Sequence, residues 1–298
     1  MTDPHYRGRF APSPTGNPHI GTLVAAVASY LQARVNSGEW RVRIEDVDTT
    51  RRVAGAADTM LKTLDKFGFE WDGDVIWQSR RSALYQQALE QLDSHGLLFA
   101  CTCSRKLLAQ TDTEKSGIYP GTCRSQNLPF AHAHAVRIRV PALTIVFEDA
   151  VCGEYRQSLQ NECGDFVIRR RDGLFAYQLA VVVDDALQGI TEVVRGADLL
   201  DSTPRQIYLQ QCLDYPEPGY LHLPLMLDEH GRKLGKSEGA AALNPDRPAK
   251  SLCAALQHLG QQPPPELAHA TVTDIWQWSV ENWSTAKIPT KPAVIKIP

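Results

Sequence analysis

The chain has 298 residues, of which 43% are hydrophobic and 22% charged, as in an ordinary globular protein large enough to bury a core. No stretch is apolar enough to span a bilayer and the first ten residues contain no apolar h-region, so we expect a cytoplasmic protein without a membrane partner. The net charge of −3 excludes a general attraction to nucleic acid, so any RNA contact must come from local basic patches such as residues 51–52, 80–81 and 169–171. Taken alone, each such cluster is more often a solvated face.

The first predicted elements are a strand, a stiff loop and a helix. Residues 6–10 predict a short strand, and the next stretch, APSPTGNPH, contains three prolines and a glycine that exclude regular structure. GTLVAAVASYLQARV then has helical spacing of its apolar residues and ends before Gly38. The loop therefore places His19 at a helix N-terminus, where unpaired backbone N–H groups and the helix dipole favour phosphate oxygens.

A second strand is predicted for WRVRIED, which alternates apolar residues with arginines and ends in an acidic group that includes Glu45. In open α/β sheets ligands bind at the carboxyl ends of the strands. Two helices are predicted next, from the spacing of apolar residues over 53–64 and 84–92. This alternation indicates half of a nucleotide-binding α/β fold.

The pattern changes at residue 101, where short, irregular pieces rich in Cys, Pro and Gly indicate an insertion that lasts to about residue 165. The sheet is then expected to resume. The predicted elements are a buried parallel strand over YQLAVVVDD, a strand over EVVRGADLL, a helix over residues 203–213, a strand or loop over HLPLMLDEHGRKLGKS and two short helices on either side of the prolines at 263–265, followed by an extended tail.

Two separate segments have the composition of phosphate sites. PHIG before a helix is a weak signal alone, and so are the two lysines of KLGKS at residues 233–237, although lysines in a loop can contact a triphosphate as point charges. Together with RFAPSPTG and the RIED strand end, they make a chance match improbable.

The ordered motifs RFAPSPTG, PHIG, RIEDVDTTR, YQLAVVVDD, VVRGADLL and KLGKS resemble those of the class I glutamyl-tRNA synthetases. PHIG followed by Thr22 is similar to the HIGH signature with Thr22 in place of its last histidine. KLGKS is similar to the KMSKS signature with Gly235 in place of its first serine. His19 and Gly21 of the first signature and Lys236 of the second are retained.

The resemblance implies an α/β fold with a Rossmann-type parallel sheet, an inserted zinc-bearing α/β subdomain and a small helical C-terminal appendix. The implied domains are the first half of the catalytic domain at 1–100, the inserted acceptor-type subdomain at 101–165, the second half with the KLGKS loop at 166–237 and a short helical region at 238–298.

The resemblance also implies a two-step reaction. The carboxylate of glutamate attacks the α-phosphate of ATP, and an RNA hydroxyl then takes the glutamyl group from the adenylate. Catalysis then consists of positioning and charge stabilisation, which His19, Lys236 and Mg²⁺ bound with ATP are expected to supply. The implied ATP-binding residues are His19, Gly21, Thr22, Lys233 and Lys236.

A glutamate site needs arginines for two carboxylates and a carboxylate for one ammonium group. Each candidate also has a structural alternative: Glu45 as a helix cap, Tyr177 as a core residue and Arg195 as part of a surface ion pair. By resemblance, the glutamate-binding residues are Arg9, Ala11, Ser13, Glu45, Tyr177 and Arg195.

An odd number of cysteines, seven, in a reducing compartment indicates thiols or metal ligands rather than disulfides. Cys101, Cys103 and Cys123 with Tyr119 form a compact set of ligands suited to structural zinc, and members of the resembled family carry a zinc-bearing insertion. His132 and His134 are competing fourth ligands. The alternative is that these cysteines are small buried apolar residues, as we expect for Cys152, Cys163, Cys212 and Cys253.

After Ser237 there are 298 − 237 = 61 residues, fewer than the roughly 100 residues of a usual domain, so we expect no anticodon-binding domain. The resemblance is closest to the short paralogues of the family, which attach glutamate to the queuosine base in the anticodon loop of tRNA(Asp). It implies L-glutamate, ATP and the anticodon stem-loop of tRNA(Asp) as partners of a monomeric enzyme, with the RNA recognised by shape, exposed bases and phosphates.

Three alternatives remain open at this stage. A truncated glutamyl-tRNA synthetase that charges the 3′ end of tRNA shares every motif. A nucleotidyltransferase of another class shares the HIGH-type loop but has no reason to carry both RFAPSPTG and KLGKS. A non-catalytic RNA-binding relic would show no exchange of pyrophosphate with ATP that depends on glutamate.

Overall fold

Strands and helices alternate along the chain in the computed structural model, which describes residues 5–109, 118–227, 243–291 and 293–294. The helices are α1 (Ile20–Val35), α2 (Ala56–Lys66), α3 (Ser82–Ser94), α4 (Arg105–Ala109), α5 (Tyr177–Leu187), α6 (Thr203–Leu213), α7 (Pro248–His258) and α8 (Val272–Asn282). The strands are β1 (Arg7–Phe10), β2 (Glu39–Ile44), β3 (Ile76–Trp77), β4 (Leu98–Cys101), β5 (Ala135–Ile138), β6 (Thr144–Asp149), β7 (Gly153–Ser158), β8 (Phe166–Arg169), β9 (Glu192–Gly196), β10 (Gly219–Leu223), β11 (Met226–Leu227) and β12 (Ala293–Val294).

Parallel strands form the centre of the molecule in two sheets that meet edge to edge. One has the order β1-β2-β3 and is parallel throughout. The other has the order β7-β6-β10-β9, in which β10 is parallel to β9 and β6 while β7 is antiparallel to β6. Beside β9, the backbone N–H of Thr191 donates to the carbonyl of Arg7 in β1 at 2.9 Å. The predicted α/β fold with a parallel sheet is thus confirmed.

An aromatic cluster joins the first sheet to the C-terminal helices. Trp40 of β2 is fully buried and stacks on Phe69, with ring centroids 5.3 Å apart. Tyr30 of α1 meets the edges of both Trp40 at 5.1 Å and Trp276 of α8 at 4.7 Å. Each such ring buries a large apolar area, so α8 is part of the core around α1.

Several sequence predictions are confirmed. These are the strand near residues 6–10, the helix that begins after the proline-rich loop, the strand over WRVRI, the helix over 84–92, the strand over EVVRG, the helix over 203–213 and the two short helices around the prolines at 263–265. The helix predicted from Val53 begins later, at Ala56, and leaves Val53 half exposed at 51%. Among the described residues, no helix has both the length and the apolar character needed to span a membrane.

The prediction of a strand over YQLAVVVDD is wrong, because this segment is helix α5. Seven consecutive residues of α5, 179–185, are buried, since the helix packs against α3, α6 and β8. A helix buried on all sides has no polar face, and a short valine-rich run then looks the same as a buried parallel strand.

The segment from 101 to 165 is more regular than predicted. β5 pairs in antiparallel fashion with β4 and β8, and the β6–β7 hairpin extends the sheet of β9 and β10 through the parallel pairing of Tyr220 with Asp149. The expectation of irregular pieces is therefore wrong for residues 135–158. The domain boundaries at 101 and 165 remain predictions.

Candidate active site

A cavity of about 280 Å³ lies where β1, β2 and β9 end, at the carboxyl edge of the parallel strands. It brings together most of the residues that the motifs singled out, although their roles remain predictions. The predicted site residues in its wall are Arg9, Ala11, Ser13, His19, Thr22, Glu45, Tyr177 and Arg195. Gly21 lies behind His19 in the first turn of α1, and Lys233 and Lys236 lie outside the described residues.

His19 is the N-cap of α1, as the loop before it predicts. Its Nδ1 atom accepts a hydrogen bond from the backbone N–H of Gly21 at 3.1 Å, which fixes the ring at the helix N-terminus. Gly21 allows this approach, because a Cβ atom there would lie 3.1 Å from the ring. The positive end of the helix dipole therefore faces the cavity wall that His19 and Thr22 form.

Carboxylates and guanidinium groups, most of them buried, form an ionic group on one side of the cavity. Asp185 of α5 accepts hydrogen bonds from Nε of Arg9 at 3.1 Å and Nη1 of Arg43 at 2.8 Å, and Arg43 also contacts Oε1 of Glu45 at 3.3 Å. Burial would raise the pKa of Asp185, but the two guanidinium groups outweigh it and hold the pKa below its usual range. Burial raises the pKa of Glu45 despite both arginines. Asp184 also contacts Nε of Arg43 at 3.9 Å and Nε of Arg81 at 2.6 Å, so three cations and three carboxylates balance one another.

Arg195 is a buried cation that makes no ion pair with the ionic group around Arg43 and Asp185 within the described residues. Its side chain donates to Thr203 Oγ1 at 2.7 Å, Gln206 Oε1 at 2.8 Å, His222 Nε2 at 3.0 Å and the Tyr177 hydroxyl at 3.4 Å. All four acceptors are neutral, and no carboxylate in the described parts of the chain is within ion-pair distance of Arg195, which is 5% exposed. A buried guanidinium without a carboxylate in direct contact favours an anionic ligand in the cavity that it lines.

Asp149 and His222, which do not line the cavity, orient the guanidinium of Arg195. His222 Nδ1 contacts Asp149 Oδ2 at 2.6 Å, and Asp149 Oδ1 accepts from the backbone N–H groups of Val151 at 3.0 Å and Cys152 at 2.8 Å. Burial and the charge of Arg195 lower the pKa of His222, although Asp149 opposes them. The imidazole is therefore neutral at pH 7, with Nδ1 donating to Asp149 and Nε2 accepting from Arg195.

Sequence reasoning missed Arg43, Asp185, Asp149 and His222. Arg43 and Asp185 stand within the quoted motifs RIED and VVVDD, so their ionic character was visible but their pairing was not. Asp149 and His222 are 73 residues apart and meet because β6 lies beside β10. No local pattern in either segment signals that contact.

Three thiols and a phenol meet in a separate cluster beside β4. Sγ of Cys103 is 3.6 Å from Sγ of Cys123, close to the ~3.8 Å edge of a tetrahedron with Zn–S bonds of about 2.3 Å. The Tyr119 hydroxyl lies 3.4 Å from Cys101 Sγ and 3.7 Å from Cys103 Sγ. Burial would raise the pKa of Cys123, but hydrogen bonds from Thr102 and Tyr119 lower it to about 6. The donor set thus fits zinc, and one thiol is ready to ionise at neutral pH.

The remaining histidine and cysteine predictions have mixed outcomes. His132 is exposed and His134 is half-buried, and neither belongs to the cysteine group in the described part of the chain. All seven cysteines are free, as predicted for thiols. Two of the four outside the cluster are buried, but Cys212 is half-buried and Cys152 is exposed, so the expectation of a buried apolar residue is wrong for Cys152. Cys152 belongs to the turn whose backbone N–H groups donate to Asp149, and its side chain lies at the surface.

A family model described as "tRNA synthetases class I (E and Q), catalytic domain" matches residues 5–265. The chain therefore belongs to the class I tRNA synthetases of the E and Q type, which are ligases.

The similar curated proteins define the group within that family. The chain is 54% identical over 294 residues to the Glutamyl-Q tRNA(Asp) synthetase of Dechloromonas aromatica, covering 97% of this chain and 98% of the relative. It is 55% identical to the protein of the same name from Ectopseudomonas mendocina and 54% identical to that of Pseudomonas aeruginosa, with 95% of each chain covered in both cases. The suspected membership of the glutamyl-Q tRNA(Asp) synthetase group is thus confirmed.

Two solved structures share the fold. The glutamate-tRNA synthetase of Elizabethkingia anophelis superposes with a TM-score of 0.83 at 24% identity, covering 98% of this chain and 68% of that one. A glutamate tRNA ligase from Elizabethkingia meningosepticum, in complex with its amino acid, gives a TM-score of 0.82 at 24% identity, with coverage of 98% and 67%. The class I synthetase fold is therefore confirmed.

Proposed function

We propose that this enzyme activates L-glutamate with ATP in the 280 Å³ cavity and transfers the glutamyl group to the queuosine base in the anticodon loop of tRNA(Asp). The observation that carries the activation step is the buried cation Arg195, which lines the cavity and has no carboxylate in direct contact among the described residues. The transfer step rests on the printed names of relatives that are 54–55% identical over nearly their whole length.

The charges in the cavity suit glutamate, which carries two carboxylates and one ammonium group. Arg195 offers N–H donors to one carboxylate, and Arg9 lies in the same wall for the other. Glu45 accepts from the ammonium group. Arg43 contacts Oε1 of Glu45, and Oε2 has no hydrogen-bond partner within the described residues. Tyr177, Ser13 and Ala11 complete the wall.

The neutral hydrogen-bond acceptors around Arg195 favour the binding of an anionic substrate. A carboxylate on Arg195 would compete with the substrate, whereas the hydroxyls of Tyr177 and Thr203 and the imidazole of His222 orient the guanidinium and leave its charge available. Arg195 can therefore bind one carboxylate of the substrate without first breaking an ion pair.

Activation needs no protein nucleophile. A carboxylate oxygen of glutamate attacks the α-phosphorus of ATP, the bond from that phosphorus to the bridging oxygen breaks, and pyrophosphate leaves with the electron pair. His19 and the N-terminus of α1 would receive the phosphates, and Lys233 and Lys236 are expected to contact the leaving group. Mg²⁺ that accompanies ATP would neutralise part of the phosphate charge. In the second step a hydroxyl oxygen of queuosine attacks the adenylate carbonyl, AMP leaves with the electron pair of the broken C–O bond, and the hydroxyl proton is released.

The cysteine cluster is proposed to hold structural Zn²⁺ through the thiolates of Cys101, Cys103 and Cys123 and the oxygen of Tyr119. The 3.6 Å sulfur separation and the lowered pKa of Cys123 support this assignment. Bound metal would link the end of β4 to the loop that carries Tyr119 and Cys123 and so brace this part of the chain.

Exchange of labelled pyrophosphate into ATP tests the activation step. We expect exchange that depends on glutamate, and Lys236→Ala should abolish it without changing the thermal unfolding temperature. Lys250→Ala, an exposed lysine on α7, is the matched control and should keep full exchange. No exchange by the unaltered protein, with or without tRNA, would contradict the proposed activation.

A further inference from the structure

A second cavity, of about 150 Å³, is built differently from the proposed glutamate site. It lies between β5, the start of β8 and the first turn of α6, and its wall includes Arg137, Arg205, Asp165 and Tyr119. Tyr119 also belongs to the cysteine cluster, but none of the three cluster thiols lines this cavity. The cavity is therefore a separate feature with two arginines in its wall.

Neither arginine has a carboxylate partner among the described residues. Arg137 is 8% exposed, donates from Nη1 to the backbone carbonyl of Asp165 at 2.8 Å and lies over the Tyr119 ring at 3.8 Å. Half-buried Arg205 makes no hydrogen bond or ion pair within the described part of the chain. The Nε atoms of both are buried and unpaired.

Asp165, the carboxylate among the described residues of the cavity wall, is already occupied. Oδ1 of Asp165 accepts from the guanidinium of Arg124 and from the backbone N–H of Val140 at 2.8 Å. Arg124 therefore neutralises Asp165, and within the described residues the charges of Arg137 and Arg205 remain uncompensated. Burying Arg137 almost fully and Arg205 partly without counter-charges costs free energy, and an anion between them would offset that cost.

We infer that this cavity is an anion site that binds a phosphate group of the RNA substrate's backbone. The planar donors of arginine match the oxygens of a phosphate group. The volume is well below the roughly 300 Å³ of pockets that enclose a whole small-molecule ligand, which favours a single phosphate group over a nucleotide. This inference rests on the proposed function, because it assumes that RNA is a substrate.

Charge distribution supports RNA as the source of the phosphate. The chain carries a net charge of −3, so RNA contacts depend on local positive charge. In the arginine cluster at 169–171, Arg170 is already paired with Asp48 at 2.9 Å and Asp172 at 2.6 Å. Arg137 and Arg205 have no such pairing in the part of the chain that the structure describes, so their charges are available to a phosphodiester.

The test is the salt dependence of the affinity for tRNA(Asp), measured for the unaltered protein and for Arg205→Gln. We expect the slope of log K against log salt concentration to fall in magnitude by about one in the variant, since one phosphate contact is lost. Arg156→Gln is the matched control, because Arg156 is exposed and has Glu154 as a carboxylate neighbour at 3.6 Å. Its slope should equal that of the unaltered protein.

Thermal unfolding separates a binding role from a structural one. Removing an uncompensated guanidinium should leave the unfolding temperature of Arg205→Gln unchanged or raised, whereas a lower temperature with an unchanged slope would overturn the inference. Arg137→Lys, which keeps the charge but loses the planar fork, should weaken RNA binding less than Arg137→Gln. Equal losses in the two variants would contradict a role for the Arg137 charge.

Inorganic phosphate distinguishes a free anion from RNA. If phosphate, compared with chloride at equal ionic strength, stabilises the unaltered protein but not Arg205→Gln while the RNA slope is the same for both, the cavity holds free phosphate and the RNA assignment is wrong. Pyrophosphate exchange by the unaltered protein without RNA tests the proposed activation independently. Failure of the phosphate site is thus distinguishable from failure of the proposed function.

Discussion

Replacing Asp149 by Asn should reverse the hydrogen-bonding pattern that holds Arg195. In the unaltered protein Asp149 accepts the Nδ1–H of His222 at 2.6 Å, which makes Nε2 the acceptor for Arg195 at 3.0 Å. The Asn carbonyl would take the position of Oδ1, which accepts from the backbone N–H groups of Val151 and Cys152. Its NH₂ group would then donate to His222 Nδ1, so the imidazole proton would move to Nε2. Nε2–H cannot accept from the Arg195 N–H, and that hydrogen bond would be lost.

The expected loss follows from that one contact. A hydrogen bond to a charged group contributes about 1.5–3 kcal/mol, which corresponds to a rise of about 10- to 150-fold in the KM for glutamate. The KM for ATP should change little, because Asp149 and His222 hold an arginine that we assign to the amino acid. Some loss of stability is also expected, since both side chains are fully buried.

The assay is pyrophosphate exchange at varied glutamate and ATP concentrations, with thermal unfolding measured on the same samples. Asp246→Asn is the matched control: its carboxylate is 81% exposed in an ion pair with Lys66 at 3.5 Å, so its KM should stay within about twofold. A folded Asp149→Asn variant with an unchanged KM for glutamate would refute the positioning role. A parallel rise in both KM values would also refute it.

Three further predictions concern the other groups. Arg195→Lys keeps a positive charge but lacks the fork that contacts Thr203 and Gln206, so the KM for glutamate in the exchange assay should rise at least about tenfold, and an unchanged KM would contradict our assignment. Burial raises the pKa of Glu45, so its negative charge is lost as the pH falls through that pKa, and the KM for glutamate should rise on acidification. Glu45→Gln should have a high KM at every pH, and a pH profile like that of the unaltered protein would exclude Glu45 as the cause. Cys123→Ser should lower the bound zinc, measured by atomic absorption, and the unfolding temperature, whereas Cys152→Ser at the exposed thiol should change neither.

Much of the first half of the fold was predictable because local chemistry specifies it. The prolines of APSPTGNPH exclude regular structure, and the apolar spacing that follows marks α1. Helix α5 was not predictable in this way. Its consecutive buried residues, 179–185, carry no periodic signal, because neighbouring elements cover the helix on every side.

The candidate site shows the same division between local and long-range information. Arg9, Glu45 and Arg195 stand in recognisable motifs, and the structure brings them to one cavity. Asp149 and His222 stand in no motif, and their contact depends on the parallel pairing of β6 with β10. Such a contact is a property of the sheet topology, which the sequence pattern of either strand does not reveal.

The most direct test of the proposed function is to map the labelled nucleotide after incubation of the protein with labelled glutamate, ATP and total tRNA. We expect the label on a nuclease fragment of tRNA(Asp) that contains the anticodon loop with queuosine. Label confined to the 3′ end of a tRNA would contradict the proposed acceptor.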